Sequence, residues 1–388
     1  MSIVLSSSVR QNLLSLQATA DLLSTTQSRL ATGKKVNSAL DNPTNFFTSQ
    51  GLGNRASDIT NLLDSIGNGV QVLQAANTGL TSMQKLVDTA KSIASQVQQT
   101  TVGYTAKSTV STSAALGGTA ANLVDGATIK NGDVLAIAST GGGTATSITF
   151  GANESLAQLN AALAANNLSA SLDGTNKLVN TNVSNDGASS NVGAVTFTNT
   201  GGGTATFAGV VAPTADATSQ AIRANLVSQY NGIIAQITTT AQDSSFNGIN
   251  LLNGDTLKLT FNETGKSTLN ITGVTYNAAG LGLSTLVAGT DFLDNNSANK
   301  AITALSAAST SLRTEASALG SNLSIVQIRQ DFSKNLINVL QTGSSNLTLA
   351  DTNEEAANSQ ALSTRQSIAV SALSLANQSQ QSVLQLLR

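Results

Sequence analysis

The sequence contains no cysteine, no histidine and no tryptophan. Without cysteine the chain has no disulfides, no thiolate metal sites and no cysteine nucleophile. Without histidine it lacks the commonest general base and the commonest metal ligand. Catalysis would depend on carboxylates, lysine, tyrosine or serine, and no such constellation stands out. We therefore expect no catalytic residue, no cofactor and no metal site.

Charge is also scarce. Only 10% of the residues are charged, against roughly 25% in an average protein. The net charge is −2, and the longest basic run is the pair Lys34-Lys35. Nucleic-acid binders show a basic patch, and membrane recruitment by charge needs a polybasic segment. These observations argue against a nucleic-acid or membrane partner.

Long apolar runs are missing too. No stretch approaches the 18 or so consecutive apolar residues of a transmembrane helix. The first residues lack a basic segment followed by an apolar core and a small-residue cleavage site. By these criteria the expected location is the cytoplasm, unless a route without a cleaved signal exports the chain.

Two remaining groups of residues have simple structural explanations. Asp351, Glu354 and Glu355 stand at a predicted helix start, where negative charge stabilises the helix dipole. The glycine triplets at 141–143 and 201–203 lack the context of a phosphate-binding loop, so we interpret them as turns. The sequence therefore does not predict an enzyme.

Apolar residues recur at alternating spacings of four and three in the first terminal segment and along a broad face of the last. The first stripe includes Val9, Leu13, Leu16, Leu23 and Leu30, and Gly33 follows as a helix stop. The apolar residues of the last segment, 353–387, include Leu362, Ile368, Ala372, Leu375, Val383, Leu384, Leu386 and Leu387. Such seams over several heptads are typical of coiled coils.

Two inner segments carry similar stripes, near 45–100 and 300–342. Asn42-Pro43 provides a cap and a first-turn proline for the first of them. We predict that these helices pack on one another as a bundle core. Its residues are Leu52, Ile59, Leu63, Ile66, Val70 and Leu73 in the first segment, and Leu305, Leu312, Leu319, Leu323 and Val326 in the second.

The terminal segments differ because they are apolar on more than one side, as Leu14, Leu22 and Leu373 indicate. A helix that is apolar on several sides needs several neighbours. One chain offers each terminus only the opposite terminus. We therefore expect the missing neighbours to be other copies of the chain.

The middle of the chain has a different character. Short alternating runs separated by "DG" and "NG" turns predict strands, and 154–167 predicts one helix. The runs on either side of "ETGK" predict a β-hairpin with Gly265 in its loop. The predicted fold is mainly α with a β-rich insert. Its parts are a terminal coiled-coil domain (1–44 with 345–388), a helical bundle with the β-hairpin (45–103 with 214–344), and a small outer α+β or β domain (104–213).

Four segments together resemble the bacterial flagellins. "SRLATGKKVNSALDNP" (28–43) is similar to the N-terminal signature of that family, and "LANQSQQSVLQLL" (375–387) to its C-terminal ending. "FNGINLLNG" (246–254) and "LTLADTNEEAANS" (347–359) resemble the segments that lie between them. The resemblance covers about 1–100 and 216–388.

The resemblance implies a structural subunit present in many copies, which self-assembles into the filament used for swimming motility. The terminal helices would pair as coiled coils lining the inner tube. It also implies export without a cleaved signal through the flagellar type III apparatus, with a dedicated chaperone, and a location outside the cell. The implied neighbours are hook-associated junction and cap proteins.

The chain departs from the family pattern at two places. Asp41 matches the first aspartate of the N-terminal signature, whereas Asn42 stands where many flagellins have a second one. The aligned positions of an Arg-x-Arg pair recognised by a Toll-like receptor hold Thr89 and Lys91. The resemblance therefore implies weak or absent recognition by that receptor.

Two alternatives remain open from the sequence. A hook–filament junction protein would be homologous at both ends but present in few copies. A surface adhesin, from a different functional class, would act through the 104–213 insert.

Overall fold

The computed structural model describes residues 7–386, apart from the side chains at 8, 380 and 383–386. More than half of the described residues are helical. The α-helices in this part of the chain are α1 (Ser7–Thr32), α2 (Pro43–Gln99), α3 (Leu156–Leu163), α4 (Ala217–Asp243), α5 (Asn295–Thr348) and α6 (Thr352–Leu386). Among these described helices, none is long and apolar enough to span a membrane.

The strands form small sheets in the middle of the chain. They are β1 (Tyr104–Ala106), β2 (Thr109–Ser111), β3 (Val134–Ile137), β4 (Thr146–Thr149), β5 (Leu168–Leu172), β6 (Leu178–Asn182), β7 (Val195–Thr198), β8 (Thr214–Ala215), β9 (Thr256–Thr260) and β10 (Thr268–Thr272). Two antiparallel sheets have the orders β2-β6-β5 and β4-β3-β7. The expected fold, mainly α with a β-rich insert and a hairpin, is confirmed.

Local side-chain chemistry sets the helix starts. The Asn42 side chain accepts a hydrogen bond from the Asn45 amide at 3.0 Å, and Pro43 is the first residue of α2. The Asp351 carboxylate accepts one from the Asn353 amide at 2.9 Å and so caps α6. Both predicted caps are confirmed. The predicted helix at 154–167 is shorter than expected, because α3 gives way to a 3-10 turn at Ala164–Asn166.

The chain divides into two compact units. The first consists of Met1–Gly69, Lys258–Leu269 and Ile325–Arg388, and the second of Val70–Leu257 and Asn270–Ser324. The long helices α2 and α5 therefore contribute residues to both. The three-part division expected from the sequence stays a prediction.

The core of the first unit joins the beginning of α2 to the end of α5. Ala56 and Ile59 form a buried cluster with Ile337 and Leu340. The cluster follows the alternating spacing of both sequences, so each helix turns one apolar seam toward the other. Of the expected bundle residues, Ile59, Ile66, Val70, Leu73, Leu305, Leu312, Leu319 and Val326 are buried, whereas Leu52, Leu63 and Leu323 are half-buried.

The insert forms its own core within the second unit. Strands β1 and β8 pair at its two ends, with Tyr104 opposite Ala215, so the insert leaves and rejoins the helices at neighbouring points. Its sheets and α3 enclose a buried apolar cluster that includes Leu135, Phe150, Leu159 and Leu178.

A buried arginine fastens the helices of the second unit together. The Arg223 guanidinium of α4 is fully buried, and its Nη2 donates to the Val97 carbonyl at the end of α2 at 2.9 Å. Its Nε donates to Thr101 O at 2.9 Å, and its Nη1 to Phe292 O at 2.7 Å, just before α5. Arg223 therefore donates to carbonyls at and just beyond the C-terminus of α2, where the helix supplies no further backbone donors.

Replacing Arg223 by methionine should destabilise the second unit. The change keeps most of the side-chain volume but leaves several buried carbonyls without donors, which costs on the order of 3 kcal/mol of unfolding free energy. Denaturant unfolding followed by circular dichroism measures this loss. The matched control is Arg313→Met on the exposed surface of α5, with an expected change below about 0.5 kcal/mol. Equal stability of the two variants would contradict the assigned role.

Candidate functional site

The two terminal helices pack against each other along one seam. On α1 the seam contains Val9, which is buried, and Leu16 and Leu23, which are half-buried. On α6 it contains Leu362 and Leu373, also half-buried. Polar residues fill the intervening seam positions, namely Asn12, Thr19 and Thr26 on α1 and Glu355, Ser359 and Gln366 on α6. A seam of this composition buries little apolar area for its length.

Polar contacts fix the register of α1 on α6. The Arg29 guanidinium lies 3.3 Å from the Glu355 carboxylate, which is mostly buried. The chain that follows α1 also pairs with the chain between α5 and α6, since the Lys35 amide donates to Thr348 O at 2.7 Å and the Ala350 amide to Gly33 O at 3.0 Å. The two terminal helices are thus held as a pair at this end.

The outer surfaces of this helix pair remain apolar and exposed. Leu14 and Leu22 of α1 are 67% and 57% exposed, and Ile368 and Leu375 of α6 are 64% and 70% exposed. Exposed apolar patches of this kind mark sites of protein association. The paired helices therefore present apolar faces that the described part of the chain does not cover.

The expected assembly residues lie at several kinds of position. Val9, Leu16, Leu23 and Leu362 lie in the seam, whereas Leu13, Leu30, Ile368, Ala372 and Leu375 are exposed. The side chains of Val383, Leu384 and Leu386, and the whole of Leu387, lie outside the described residues.

The turn that joins α1 to α2 is braced by Asp41. Its carboxylate accepts hydrogen bonds from the Ser38 amide at 2.8 Å, the Asn37 amide at 2.9 Å and the Ser38 hydroxyl at 3.2 Å. The backbone donors of Ser38 and Asn37 hold the pKa of Asp41 below its ordinary value. The braced turn points Leu40 into solvent, where it is 96% exposed.

A second apolar stripe runs along the end of α5, and the sequence analysis missed it. It consists of Ile325, Ile328, Phe332 and Val339, all exposed, and we refer to it as the α5 stripe. The spacing of three, four and seven residues places it on a different side of the helix from the buried seam of Val326, Ser333 and Ile337. The spacing of the stripe can be read from the sequence. The more regular buried seam on the same helix was sufficient to predict the helix, so the stripe was not identified as a separate surface.

The described residues include no cluster of carboxylates that could hold a metal ion. What the surfaces share is exposed aliphatic and aromatic area on rigid helices or a braced turn, which is suited to binding another protein surface.

Two family models match the chain. The bacterial flagellin N-terminal helical region matches residues 4–135, and the bacterial flagellin C-terminal helical region matches residues 302–387. Together they cover more than half of the chain, including both terminal helices. The chain belongs to the bacterial flagellin family. The segment 246–254, which resembles the family, lies outside both matched regions.

Curated flagellins are similar over part of their length. Flagellin FljM of Caulobacter vibrioides is 34% identical over 165 residues, 42% of this chain and 59% of that protein. Flagellin of Brucella melitensis biotype 1 is 29% identical over 177 residues, 43% and 62% of the two chains. Flagellin A of Rhizobium meliloti is 38% identical over 87 residues, 22% of each. The chain thus spans about six-tenths of the first of these relatives. These matches do not favour a junction protein or an adhesin.

The Asp41 brace predicts a pH dependence. In the unfolded chain the carboxyl has its ordinary pKa of 3.8, and in the folded turn its pKa is lower. The carboxylate therefore stabilises the turn fully above about pH 4, and this stabilisation is lost as the pH falls through the lowered value. An NMR titration should give Asp41 a midpoint below 3.8. The pH-dependent shifts of the Asn37 and Ser38 amides should vanish in Asp41→Asn, and their persistence would refute the brace.

Proposed function

We propose that this chain is the structural subunit of the bacterial flagellar filament, which self-assembles in many copies for swimming motility. The observation that carries the proposal is the exposure of Leu14, Leu22, Ile368 and Leu375 on the outer faces of the paired helices α1 and α6. Both helices lie within regions that match flagellin models. Apolar faces of this extent favour burial against further copies.

The geometry of such contacts explains a filament rather than a closed oligomer. In a heterologous contact, one surface of a subunit binds a different surface of the next subunit. When the rotation between successive subunits does not close into a ring, the result is an open helical filament. We propose that the terminal segments, 1–44 and 345–388, supply the inner contacts, through the exposed residues above and through Val383, Leu384, Leu386 and Leu387. The 104–213 insert would then face outward.

The remaining partners follow from the family resemblance alone. We propose export outside the cell through the flagellar type III apparatus, with an export chaperone, and contact with hook-associated junction and cap proteins. Thr89 and Lys91 support weak or absent Toll-like receptor recognition. Bacterial flagellins are structural proteins, and we propose no catalytic activity, cofactor or metal for this chain.

Placing charge on the outer face of α1 should abolish filament growth. In Leu14→Asp/Leu22→Asp the new carboxylates would be buried at contacts between subunits, whereas within one chain both positions face water. Electron microscopy after seeding should show filaments from the wild type and none from the double variant.

The control is Leu14→Met/Leu22→Met, which keeps an apolar face of similar volume and should polymerise. Circular dichroism of both variants should match the wild type. Filaments of normal length from the aspartate variant would overturn the proposal, as would a wild-type chain that does not polymerise from seeds.

A further inference from the structure

A cavity of about 270 Å³ lies within the second unit, lined by α4, the beginning of α5 and the segment that precedes α5. The residues around it include Tyr230, Leu286, Asp291, Ser297, Lys300 and Ala301. Its volume is just below the range of roughly 300–1,000 Å³ that is typical of small-molecule sites. A molecule that fits it is therefore small.

The segment that forms one wall of the cavity is held in place from two sides. The Asn231 side chain of α4 donates to Leu286 O and accepts from the Leu286 amide, both at 2.8 Å. The Asp291 carboxylate accepts from the Val287 amide at 2.7 Å. Phe292 has a φ of 60°, in the left-handed region that a bulky residue adopts only where its surroundings impose it. This wall is thus ordered before binding, which lowers the entropic cost of binding.

Tyr230 provides the cavity with a polar group that has no partner. The residue is 2% exposed, yet its hydroxyl makes no hydrogen bond with any described residue, although a buried tyrosine hydroxyl ordinarily has one. The completely enclosed unpaired polar atoms of the described chain belong to Gln84 and Asn180, so the Tyr230 oxygen keeps access to the cavity. Burial raises the pKa of Tyr230 to about 12, so at neutral pH the hydroxyl keeps its proton and can donate.

Two opposite charges line the same cavity without pairing. The ion pairs of the described residues involve neither Asp291 nor Lys300. A small anion would satisfy Lys300 and meet repulsion from Asp291, and a small cation would do the reverse. A molecule with a carboxylate and an ammonium group satisfies both through charge-assisted hydrogen bonds.

We infer that this cavity binds a small α-amino acid in its zwitterionic form. The ligand carboxylate pairs with the Lys300 ammonium, and the ligand ammonium pairs with the Asp291 carboxylate. The Tyr230 hydroxyl supplies a further hydrogen bond, and Leu286 and Ala301 contact a short side chain. This site goes beyond the filament function and does not depend on it, because every residue involved belongs to one unit of one chain.

Titration of the full chain, without seeds, tests the site by NMR. Glycine, L-alanine and L-serine are the ligands, and the amides of Val287, Phe292 and Lys300 should shift saturably with at least one of them. Propionate and ethylammonium are matched controls, since each is L-alanine without one of its charged groups. Each control should bind about tenfold more weakly than L-alanine. No saturable shift with any of the three amino acids would overturn the inference, as would equal binding of L-alanine and propionate.

Single variants test the assigned groups. Lys300→Met and Asp291→Asn should each weaken amino-acid binding about tenfold, and Tyr230→Phe about fivefold. Lys334→Met removes an exposed lysine of α5 that lies outside the cavity, and it should bind as the wild type does. Tyr230→Phe should keep the wild-type midpoint of denaturant unfolding, because its hydroxyl has no partner within the described chain. Wild-type affinity in Lys300→Met would refute the site, and a lowered midpoint in Tyr230→Phe would show that the hydroxyl serves the fold instead.

Discussion

The structure depends on an imbalance in the two terminal helices. Each has one seam for the other, and the seam is largely polar or small, with Asn12, Thr19 and Gln366 at its intervening positions. Further leucines, Leu14 and Leu375 among them, lie outside the seam and are exposed. Because burial of apolar area supplies most of the stabilisation in protein association, the proposed assembly would bury side chains that the pairing of these two helices leaves exposed.

The inner helices, by contrast, bury apolar side chains within the chain. Ala56, Ile59, Ile337 and Leu340 are buried within the chain, and the Arg223 guanidinium joins α4 by hydrogen bonds to the end of α2 and to the segment before α5. Gly79 shows how closely the chain is packed there, since a Cβ at that position would lie 2.6 Å from Cβ of Ser244. Such cores resist change because removing volume or a hydrogen-bond donor leaves a cavity or an unsatisfied group. The inner helices therefore form a core within one chain, whereas the terminal helices joined to them leave large apolar side chains exposed.

The low content of charged residues is consistent with the exposed apolar faces of the terminal helices. Few ionic groups flank the apolar faces, so bringing copies together desolvates few charges. The charged groups in and next to the terminal helices serve geometry: the ion pair of Arg29 with Glu355 sets a register, and Asp41 orders a turn through hydrogen bonds. Polar groups thus set the orientation of the terminal segments, and the proposed association would use the apolar ones.

The sequence by itself determined the helices, their caps and the family, because periodicity and capping are local properties that need no knowledge of distant neighbours. Asn42-Pro43 and Asp351 start α2 and α6 where expected, and the strands at Val134–Ile137 and Thr146–Thr149 pair as the alternation indicated. Only the tertiary structure decided which apolar side chains are covered. Leu16 and Leu13 belong to one sequence stripe, yet the first is half-buried and the second exposed. The spacing of the α5 stripe can be read from the sequence, but only the packing of the chain shows that the stripe is exposed.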